Sequence, residues 1–386
     1  MIQSKATFAK LSDLKASDLE GKRVILRADF NVPIKSGRVA NSYRLIKEIP
    51  TLKFLSKNGA KTIILSHLGE EKDSLKPVAL FLSRHLKIGF SSLEEAEKKV
   101  ANLKNGDILL LENLRLDAGE KNNDKNFAKK LATLGDFYVN DAFSVSHRSH
   151  ASTVGLPKYL PSFAGPLFVT EYENLAKIFT SPKPFVLILG GMKFDTKIPL
   201  IKRYLNRADK IFVLGALAHI FFHKLGFNIG QSLIDQNIKG VGEFLKAKNI
   251  YLPVDVVVKT PEGKKIKSPE AVRNQDIIYD IGPETIKMIG ESLKQAKTIL
   301  WNGPLGNFEK GYFEATEALA KLVAKSSAYS VVGGGDTVAA IEKLKLGKKF
   351  GFVSTAGGAM LDFLANGTLP GIEALKNSKR VVKNKK

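Results

Sequence analysis

Short apolar runs rich in Val, Ile and Leu alternate along this chain with longer stretches of helical spacing. The apolar runs predict buried strands, and the stretches between them predict helices. Because this alternation is repeated many times, the pattern predicts an α/β fold in which helices cover both faces of parallel sheets. The predicted strands are 24–30, 62–68, 107–113 and 137–143 in the first half and 185–191, 210–216, 250–258, 277–282, 298–303, 329–335 and 350–358 in the second.

The polar segment 168–185 separates these two groups of strands. It has helical spacing and ends near two prolines, so we expect a connecting helix that acts as a hinge. At about 150 residues per domain, the length of 386 residues allows two or three domains. We therefore expect two doubly wound, Rossmann-like domains, one over 1–167 and one over 186–367.

The composition excludes several classes of protein. With 44% hydrophobic and 25% charged residues, the chain has the balance of an ordinary globular protein. No apolar run reaches the roughly 18 residues of a membrane span, and the N-terminal sequence lacks a signal-peptide core, so we expect a cytoplasmic protein without a membrane partner. The absence of cysteine excludes disulfides and thiol catalysis, and leaves oxygen and imidazole as metal ligands.

The formal net charge of +22 raises the question of a nucleic-acid partner, because phosphate backbones attract basic surfaces. Most of the 60 basic residues are lysines, however, and they are spread through nearly every segment instead of forming one stripe. This distribution favours a solvated lysine-rich surface over a required nucleic-acid partner. The one cluster is the tail 376–386, which is interpreted as a frayed basic end, with a binding arm as the alternative.

Polar residues follow the predicted strands, at the edge where doubly wound sheets bind ligands. In the first half this edge is rich in arginine and histidine, a mixture that repels a cation and attracts a multiply charged anion. A structural role for any one of the histidines remains the alternative. The residues are Asp29, Asn31, His67, Arg115, His147, Arg148 and His150.

In the second half the same edge is rich in glycine. Glycine between a strand and a helix lets backbone N–H groups approach an anion at the positive end of the helix. One such loop is as well explained by an ordinary turn, whereas several in one domain favour a phosphate site. Neither the P-loop pattern nor the dinucleotide fingerprint is present. The loops are 190–191, 282–283, 302–304, 333–337 and 354–358.

Three charged side chains accompany these glycine loops. Lys193 and Lys197 are four residues apart and would share one face of a helix, either to contact a phosphoryl group or as a solvated pair. Asp336 stands at the start of a predicted helix, where it either caps the helix or holds Mg²⁺ beside a phosphate. Together with the basic edge of the first half, these features indicate a kinase that acts on a small anionic metabolite.

The chain resembles members of the phosphoglycerate kinase family from about residue 20 to about residue 375. The motifs that carry the resemblance occur in family order: RADFNVP (27–33), SHLG (66–69), LLENLRL (110–116), DAFSVSHRSHAS (141–152), GGMKFDTK (190–197), LPVDVVV (252–258), DIGPETI (280–286), WNGPLGNFE (301–309), GGGDT (333–337), STAGGA (354–359) and LPGIEAL (369–375). The resemblance implies reversible phosphoryl transfer from 1,3-bisphosphoglycerate to MgADP, giving 3-phosphoglycerate and MgATP. It also implies a monomer in which segment 368–386 packs back onto the first domain.

By motif, the resemblance places the phosphoglycerate on the first domain. The residues implied to bind it belong to the arginine- and histidine-rich edge, with one arginine added from the NSYR sequence downstream. They are Asp29, Asn31, Arg44, His67, Arg115, His147, Arg148 and His150.

The resemblance places ADP or ATP, with Mg²⁺, on the second domain. Glu309 is similar to the residue that binds the ribose hydroxyls, Asp336 to the Mg²⁺ ligand, and Pro304 to part of the apolar adenine wall. The residues implied to bind the nucleotide are Lys193, Lys197, Gly215, Gly282, Asn302, Pro304, Glu309, Gly334, Gly335, Asp336 and Thr337.

Phosphoryl transfer depends on alignment and on compensation of charge more than on covalent chemistry. The groups expected around the moving phosphoryl group are Arg44, Lys197 and the backbone amides of Gly357 and Gly358. Because these groups lie on two domains, we expect domain closure to bring them together and to exclude water.

Three positions depart from the family pattern. Glu70 stands where the family usually has arginine, Ala356 replaces one of three glycines, and Leu214 replaces one of two glycines at the adenine pocket. Alanine at 356 is tolerable only if that position needs neither a positive φ nor a close approach of ligand. Because of these departures and the net charge, an alternative remains. In it, the chain is a catalytically weakened member of the family that acts as a nucleotide- or nucleic-acid-binding protein.

Overall fold

The computed structural model describes residues 8–192, 194–235 and 240–378. The chain divides into two compact units, and each contains a six-stranded parallel sheet. The first unit contains the chain up to Glu173 and again from Thr368 onward, and the second contains Asn174–Gly367. The predicted α/β class with parallel sheets is confirmed. Lys193 and the end of the basic tail, 379–386, lie outside the described residues.

Apolar runs form the strands of the first unit because both faces of a parallel sheet are covered. Val24, Ile25 and Leu26 in the central strand are fully buried. The strands are β1 (Arg23–Arg27), β2 (Ile34–Lys35), β3 (Arg38–Val39), β4 (Lys61–Leu65), β5 (Ile88–Ser91), β6 (Ile108–Leu111), β7 (Phe137–Asn140) and β8 (Ser162–Ala164).

The first sheet has the strand order β5-β6-β4-β1-β7-β8, and β2 pairs with β3 in a separate hairpin. Strand β1 pairs in parallel with β4, with Val24 opposite Thr62, and with β7, with Val24 opposite Phe137. The strands that follow β1 in sequence therefore lie on both of its sides. This reversal of strand order between β1 and β7 creates the crevice where doubly wound sheets bind ligands.

The helices of the first unit are α1 (Ala16–Leu19), α2 (Tyr43–Lys57), α3 (Lys76–Leu82), α4 (Ala96–Ala101), α5 (Ala118–Lys121), α6 (Lys125–Thr133) and the start of α7 (Pro166–Ala176). Helix α7 begins two residues before the predicted connecting segment and continues as a 3₁₀ turn over Lys177–Thr180, after which the chain is no longer helical. The division between the units falls inside α7.

The second unit has the strands β9 (Phe185–Leu189), β10 (Lys210–Val213), β11 (Ile250–Tyr251), β12 (Val256–Thr260), β13 (Gly263–Lys267), β14 (Ile277–Ile281), β15 (Thr298–Asn302), β16 (Tyr329–Gly333) and β17 (Phe352–Val353). Its parallel sheet has the order β11-β10-β9-β15-β16-β17. The central pair β9 and β15 is in register with Leu187 opposite Leu300. Because strand order reverses here, the ends of β9 and β15 border the ligand crevice of this sheet.

One strand prediction for the second unit was wrong, and a second predicted strand lies outside the parallel sheet. The run 250–258 is not one strand: it forms β11 in the parallel sheet and β12 in a three-stranded antiparallel sheet of order β13-β12-β14. Between β11 and β12, Pro253 lacks the N–H that a continuous strand would need. The run 277–282 forms β14 of the antiparallel sheet and so does not contribute to the parallel one.

The helices of the second unit are α8 (Phe194–Tyr204), α9 (Ala216–Lys224), α10 (Val241–Phe244), α11 (Pro283–Leu293), α12 (Glu314–Lys325), α13 (Gly335–Lys343) and α14 (Gly358–Asn366). The chain then returns to the first unit as α15 (Pro370–Lys376), where Gly371 N donates to Ser146 O at 2.8 Å. None of the helices in the described ranges combines the length and the apolar composition of a membrane span.

Candidate functional site

Asp29 lies in the loop that follows β1, at the crevice of the first sheet. Arg44, in the first turn of α2, places Nη1 at 2.8 Å from Asp29 Oδ2 and donates to Asn31 O at 3.1 Å. Ser144, from the loop after β7, donates its hydroxyl to the same carboxylate. Burial opposes ionisation of Asp29, but the charge of Arg44 and the hydrogen bonds from Ser144 and from Asn31 N, at 3.1 Å, hold its pKa below the usual value. Asp29 is therefore a carboxylate that orients Arg44.

His67 follows β4 and is almost fully buried beside Arg27. Its Nδ1 lies 3.2 Å from Arg27 Nη2. Burial, and then the charge of Arg27, lower the pKa of His67 to about 2, so its imidazole is neutral at physiological pH. Arg27 is itself held by Ser152 Oγ at 2.9 Å and by Ala28 O at 2.6 Å. His67 thus adds a polar group, and no charge, to the basic edge.

Arg115 follows β6 and lies in the interior of the same edge, with 6% of its surface exposed. Its Nη1 donates to Gly69 O, and Gly69 N donates to Asn31 Oδ1 at 3.0 Å. Arg115 Nε is buried and has no hydrogen-bond partner within the described residues. Burial, and then the nearby charge of Arg148, lower the pKa of Arg115. The site therefore crowds cations together and leaves a buried donor for an anion to satisfy.

The segment after β7 carries His147, Arg148 and His150. Thr153 Oγ1 donates to Arg148 O at 2.8 Å, and His150 Nδ1 lies 3.8 Å from Glu120 Oε1. Burial, followed by the charges of Arg148 and the other arginines, lowers the pKa of His150 to about 4, so this imidazole is also neutral at pH 7. The positive charge of the edge consequently comes from its arginines.

Three helices of the second unit begin at the carboxyl ends of parallel strands, and each begins with a glycine in the left-handed region. Gly215 (φ 59°) precedes α9, Gly334 (φ 106°) precedes α13 and Gly357 (φ 57°) precedes α14. L-residues rarely adopt these angles, so the glycines allow the chain to turn directly from strand to helix. The turn brings the positive N-terminal ends of the helices, including the amide of Gly358, to the ligand edge.

Lys197 lies on α8 and is buried among the glycine loops that follow β9 and β15. Its Nζ donates to Gly190 O. A Cβ atom on Gly191 or Gly303 would lie only 3.1 or 3.2 Å from that Nζ. Glycine at these positions therefore leaves room for the ammonium group in the crevice of the second sheet.

The ends of β15 and β16 meet around Asn302. A Cβ atom on Gly334 would lie 3.6 Å from Asn302 Nδ2 and 3.5 Å from Thr337 Oγ1. Thr337 Oγ1 is buried and has no hydrogen-bond partner in the part of the chain that the structure describes. An orphaned hydroxyl at a helix N-terminus is a suitable partner for an anion.

Asp336 is exposed in the first turn of α13. The N-cap of this helix is Gly334, and no described side chain makes a capping hydrogen bond there. The geometry therefore does not favour the capping interpretation of Asp336. A carboxylate in this position, next to a helix N-terminus that suits a phosphate, also suits Mg²⁺, which proteins usually hold with one or two carboxylates and phosphate oxygens.

Gly282 has a different environment from that of the other predicted glycines. It follows β14 of the antiparallel sheet, and α11 begins directly after it. The N-terminal amides of α11 are already bound to Asp255, which accepts from Glu284 N at 2.9 Å and from Thr285 N at 2.8 Å. A side chain at Gly282 would collide with the Asp255 carboxylate. The glycine thus makes room for an internal carboxylate that occupies this helix end.

The remaining predicted nucleotide residues lie near the loop after β15. Pro304 O faces Gly190, and a Cβ on Gly215 would lie 3.2 Å from that oxygen. Glu309 is exposed in a 3₁₀ turn, Phe308–Lys310. Gly335 is exposed at the first position of α13, where an added Cβ would meet no atom within 4 Å. Both Glu309 and Gly335 are therefore accessible to a ligand.

The three departures from the family pattern have distinct environments. Ala356 is buried and is not among the described non-glycine residues with positive φ, so alanine fits its backbone there. Leu214 is fully buried and belongs to the hydrophobic core of the second unit. Glu70 is exposed and pairs with Lys121 Nζ at 2.8 Å.

The residues that follow the strands thus form two edges, one basic and one glycine-rich, and both have the chemistry that suits an anion. A family model described as phosphoglycerate kinase matches residues 13–367. The phosphoglycerate kinase of Dictyoglomus turgidum is 42% identical over 95% of this chain and 98% of its own. That of Fervidobacterium nodosum is 43% identical over 94% and 98%.

Solved structures agree with these sequence relatives. The phosphoglycerate kinase of Coxiella burnetii is 39% identical and has a TM-score of 0.83 over 95% of this chain and 98% of that chain. The enzyme of Pyrococcus horikoshii is 31% identical, with a TM-score of 0.81 over 95% and 98%. The chain belongs to the phosphoglycerate kinase family. It is a phosphotransferase that uses ADP and ATP, and the alternative of a binding protein without catalysis is not favoured.

Sequence reasoning missed one charged residue of the first unit. Arg27 is 1% exposed and lies against His67, yet it ends an apolar strand and was interpreted only as part of that strand. Its signal was the arginine in the RADF motif, a charge at a position where a parallel strand is otherwise covered on both sides.

Proposed function

We propose that the first unit binds 3-phosphoglycerate or 1,3-bisphosphoglycerate and that the second binds the magnesium complex of ADP or ATP. The observation that carries this division is the burial of Lys197 among the glycine loops that follow β9 and β15. In the same unit three helices begin with a glycine of positive φ, and such helix N-termini are suited to the phosphates of a nucleotide. The first unit offers arginines instead, which bind carboxylate and phosphate groups through paired N–H donors.

On the first unit, Arg44, Arg115 and Arg148 supply the positive charge that binds phosphoglycerate. His67, His147 and His150 contribute hydrogen bonds; the pKa values of His67 and His150 are lowered far enough to keep those two rings neutral. The buried Nε of Arg115 gains its missing acceptor when an anion binds. Asp29 and Asn31 hold Arg44 in place from the other side.

On the second unit, Asp336 holds Mg²⁺ on the nucleotide phosphates. Two observations support this role: its carboxylate is exposed in the first turn of α13, and the neighbouring Thr337 Oγ1 has no hydrogen-bond partner among the described residues. When bound, Mg²⁺ neutralises charge on the phosphate groups. Gly334, Gly335 and Asn302 bind the phosphates beside it, Glu309 binds the ribose, and Pro304 with Gly215 borders the base. Lys193 and Gly282 belong to the same proposal.

In the transfer, an oxygen of the ADP β-phosphate bonds to phosphorus of the acyl phosphate while the bond from that phosphorus to the carboxyl oxygen breaks. The leaving group is a carboxylate, so no proton has to be delivered to it. The chain's task is therefore to align the reactants and to compensate the charge of the transferring group. Arg44, Lys197 and the amides of Gly357 and Gly358 perform this task.

The proposal also covers the partners of the protein. We expect a cytoplasmic monomer that needs neither a nucleic acid nor a membrane. Light scattering during size-exclusion chromatography tests the oligomeric state. Binding of a fluorescent DNA or RNA, measured at physiological and at high salt, tests the role of the net charge of +22. Binding that disappears in high salt would be non-specific attraction between charges.

The deciding experiment combines activity with separate ligand titrations. ADP release from 3-phosphoglycerate and MgATP should be rapid and should stop when EDTA is added. Arg115→Gln should weaken binding of 3-phosphoglycerate at least about tenfold and leave ATP binding unchanged, since a charged hydrogen bond to a buried group is lost. Lys197→Ala should weaken binding of ATP and leave binding of 3-phosphoglycerate unchanged. If either variant affected both ligands equally, the division of ligands between the units would be refuted.

A further inference from the structure

Glu70 lies beside two cations of the first unit. Its Oε2 lies 2.8 Å from Lys121 Nζ, and its Oε1 lies 3.5 Å from Arg115 Nη1. The hydrogen bond from Lys121, and then the charge of Arg115, lower the pKa of Glu70, so the side chain is a carboxylate at neutral pH. Arg115 therefore has an anionic partner that belongs to its own chain.

The backbone that carries Glu70 is held in place. Asn113 Nδ2 donates to Glu70 O at 3.1 Å and to Asp73 O at 2.7 Å, while Glu70 N donates to Asp73 Oδ2 at 3.1 Å. Gly69, one residue earlier, has a φ of 48° and accepts from Arg115 Nη1. The carboxylate of Glu70 is thus presented to Arg115 from a fixed loop, although the side chain itself is 76% exposed.

The surroundings of Arg115 explain why an anion is favourable there. Burial, and then the charges of Arg148 and Arg27, lower the pKa of Arg115, while the charges of Glu70 and Glu120 act in the opposite direction. Glu120 is buried and already accepts from Ser152, at 2.9 Å from the amide and 2.6 Å from the hydroxyl, whereas Glu70 is exposed. An exposed carboxylate can be exchanged for a ligand, whereas a buried one cannot.

We propose that Glu70 is an internal counter-ion that phosphoglycerate must displace from Arg115, and that it thereby sets the affinity for this substrate. The inference rests on the proposed function, in which Arg115 binds phosphoglycerate. Binding replaces one ion pair of Arg115 by another, so less free energy is gained than at a site whose arginine starts without a carboxylate. Since the exchange occurs when substrate binds, it affects KM and leaves kcat nearly unchanged.

The test is calorimetric titration of 3-phosphoglycerate into the wild-type protein, Glu70→Gln and the matched control Glu71→Gln. Glu71 also pairs with Lys121, at 3.0 Å, and its replacement removes the same charge one residue away. Glu70→Gln should tighten binding about two- to fivefold at low ionic strength, because exposed pairs are worth little. This gain in affinity should shrink as salt is added. Glu70→Arg should bind 3-phosphoglycerate more tightly than Glu70→Gln does, and KM for this substrate should fall in parallel in both variants. ATP binding should not respond.

Unchanged or weaker binding in Glu70→Gln would overturn the counter-ion proposal. An equal gain in Glu71→Gln would also overturn it, because the effect would then come from net charge alone. Titration of Arg115→Gln separates this failure from failure of the proposed function. If Arg115→Gln weakens binding while Glu70→Gln has no effect, only the counter-ion is refuted. If Arg115→Gln and Arg115→Lys both bind like the wild type, the substrate site itself is misplaced.

Discussion

Arg44 Nη1 lies 2.8 Å from Asp29 Oδ2, so the arginine assigned to the transferring phosphoryl group is oriented by a carboxylate of its own unit. The pairing joins the first turn of α2 to the end of the central strand β1, and Ser144 ties the same carboxylate to the loop after β7. The crevice between β1 and β7 is thus fixed by polar contacts before any substrate arrives. Such preorganisation is what charge compensation in a transition state requires.

Replacing Arg44 by alanine should lower kcat by at least about 10²-fold, the scale for losing a preorganised donor to transition-state charge. It should also reduce the free energy of unfolding by about 1 kcal/mol, because Asp29 loses its ion-pair partner. Initial rates and urea denaturation measure the two effects. Arg84→Ala, which removes an exposed arginine of the same unit, is the control. A rise in KM at constant kcat would instead make Arg44 a uniform binder of substrate.

Lys197→Ala should likewise lower kcat by at least about 10²-fold. Lys197→Arg should not restore activity, since Gly191 and Gly303 leave space for an ammonium group and little for a planar guanidinium. Steady-state kinetics of both variants, beside Lys202→Ala on the exposed side of α8, provide the measurement. Near-normal activity of Lys197→Arg would show that charge alone matters at this position.

Asp336→Ala should remove most of the metal-dependent turnover and leave the free energy of unfolding unchanged. The reason is that its carboxylate is exposed and makes no capping hydrogen bond at the start of α13. Rates measured across a Mg²⁺ titration should show a requirement for much higher metal concentration. Glu342→Ala, an exposed acid further along α13, serves as the matched control.

Two outcomes would contradict the assignment of Asp336. Wild-type rates at sub-millimolar Mg²⁺ would show that the metal does not depend on this carboxylate. A loss of about 1 kcal/mol in unfolding free energy with little kinetic effect is what a capping residue would give.

The periodicity of the sequence predicted four of the six strands of the first parallel sheet and missed β5 and β8. For the strands that it did predict, the positions were more accurate than the ends. The runs 24–30 and 62–68 extend beyond β1 and β4 because the loops that follow are also buried: Ala28 and Phe30 are fully covered, and Leu68 nearly so. Residues that pack in the core beneath a ligand-binding edge are apolar because they are buried, as strand residues are. The pattern alone therefore cannot mark the end of such a strand.

Other features depended on contacts between residues distant in sequence. The antiparallel sheet was missed because β12 and β14 have the same apolar composition as parallel strands, and pairing direction leaves no mark in a single run. Glu70 was recognised as a departure, but its partner Lys121 is 51 residues away. Asp255, which fills the start of α11 beside Gly282, was interpreted as part of a strand. Only the folded chain reveals these pairings.

The stability of the second unit should depend on pH through Asp280. This carboxyl lies near the end of β14, is 3% exposed, and accepts from Ile281 N at 2.9 Å and from Ala315 N, at the start of α12, at 3.3 Å. Burial raises its pKa to about 7, although these two hydrogen bonds favour the charged form. Between its ordinary pKa of about 4 and pH 7, the folded protein therefore binds more protons at this position than the unfolded chain does.

It follows that the contribution of Asp280 to the unfolding free energy is fully present below about pH 4 and declines as pH rises towards 7, by up to roughly 1.4 kcal/mol per pH unit. Asp280→Asn removes this titratable group. The unfolding free energy of the variant, relative to that of the wild type, should therefore increase from pH 4 to pH 7 and then level off.

Urea denaturation at several pH values can follow the fluorescence of Trp301, the single tryptophan of the chain and fully buried in this unit. Glu291→Gln, an exposed acid on α11, should run parallel to the wild type. Parallel curves for Asp280→Asn and wild type across this range would show that Asp280 is ionised in the folded protein.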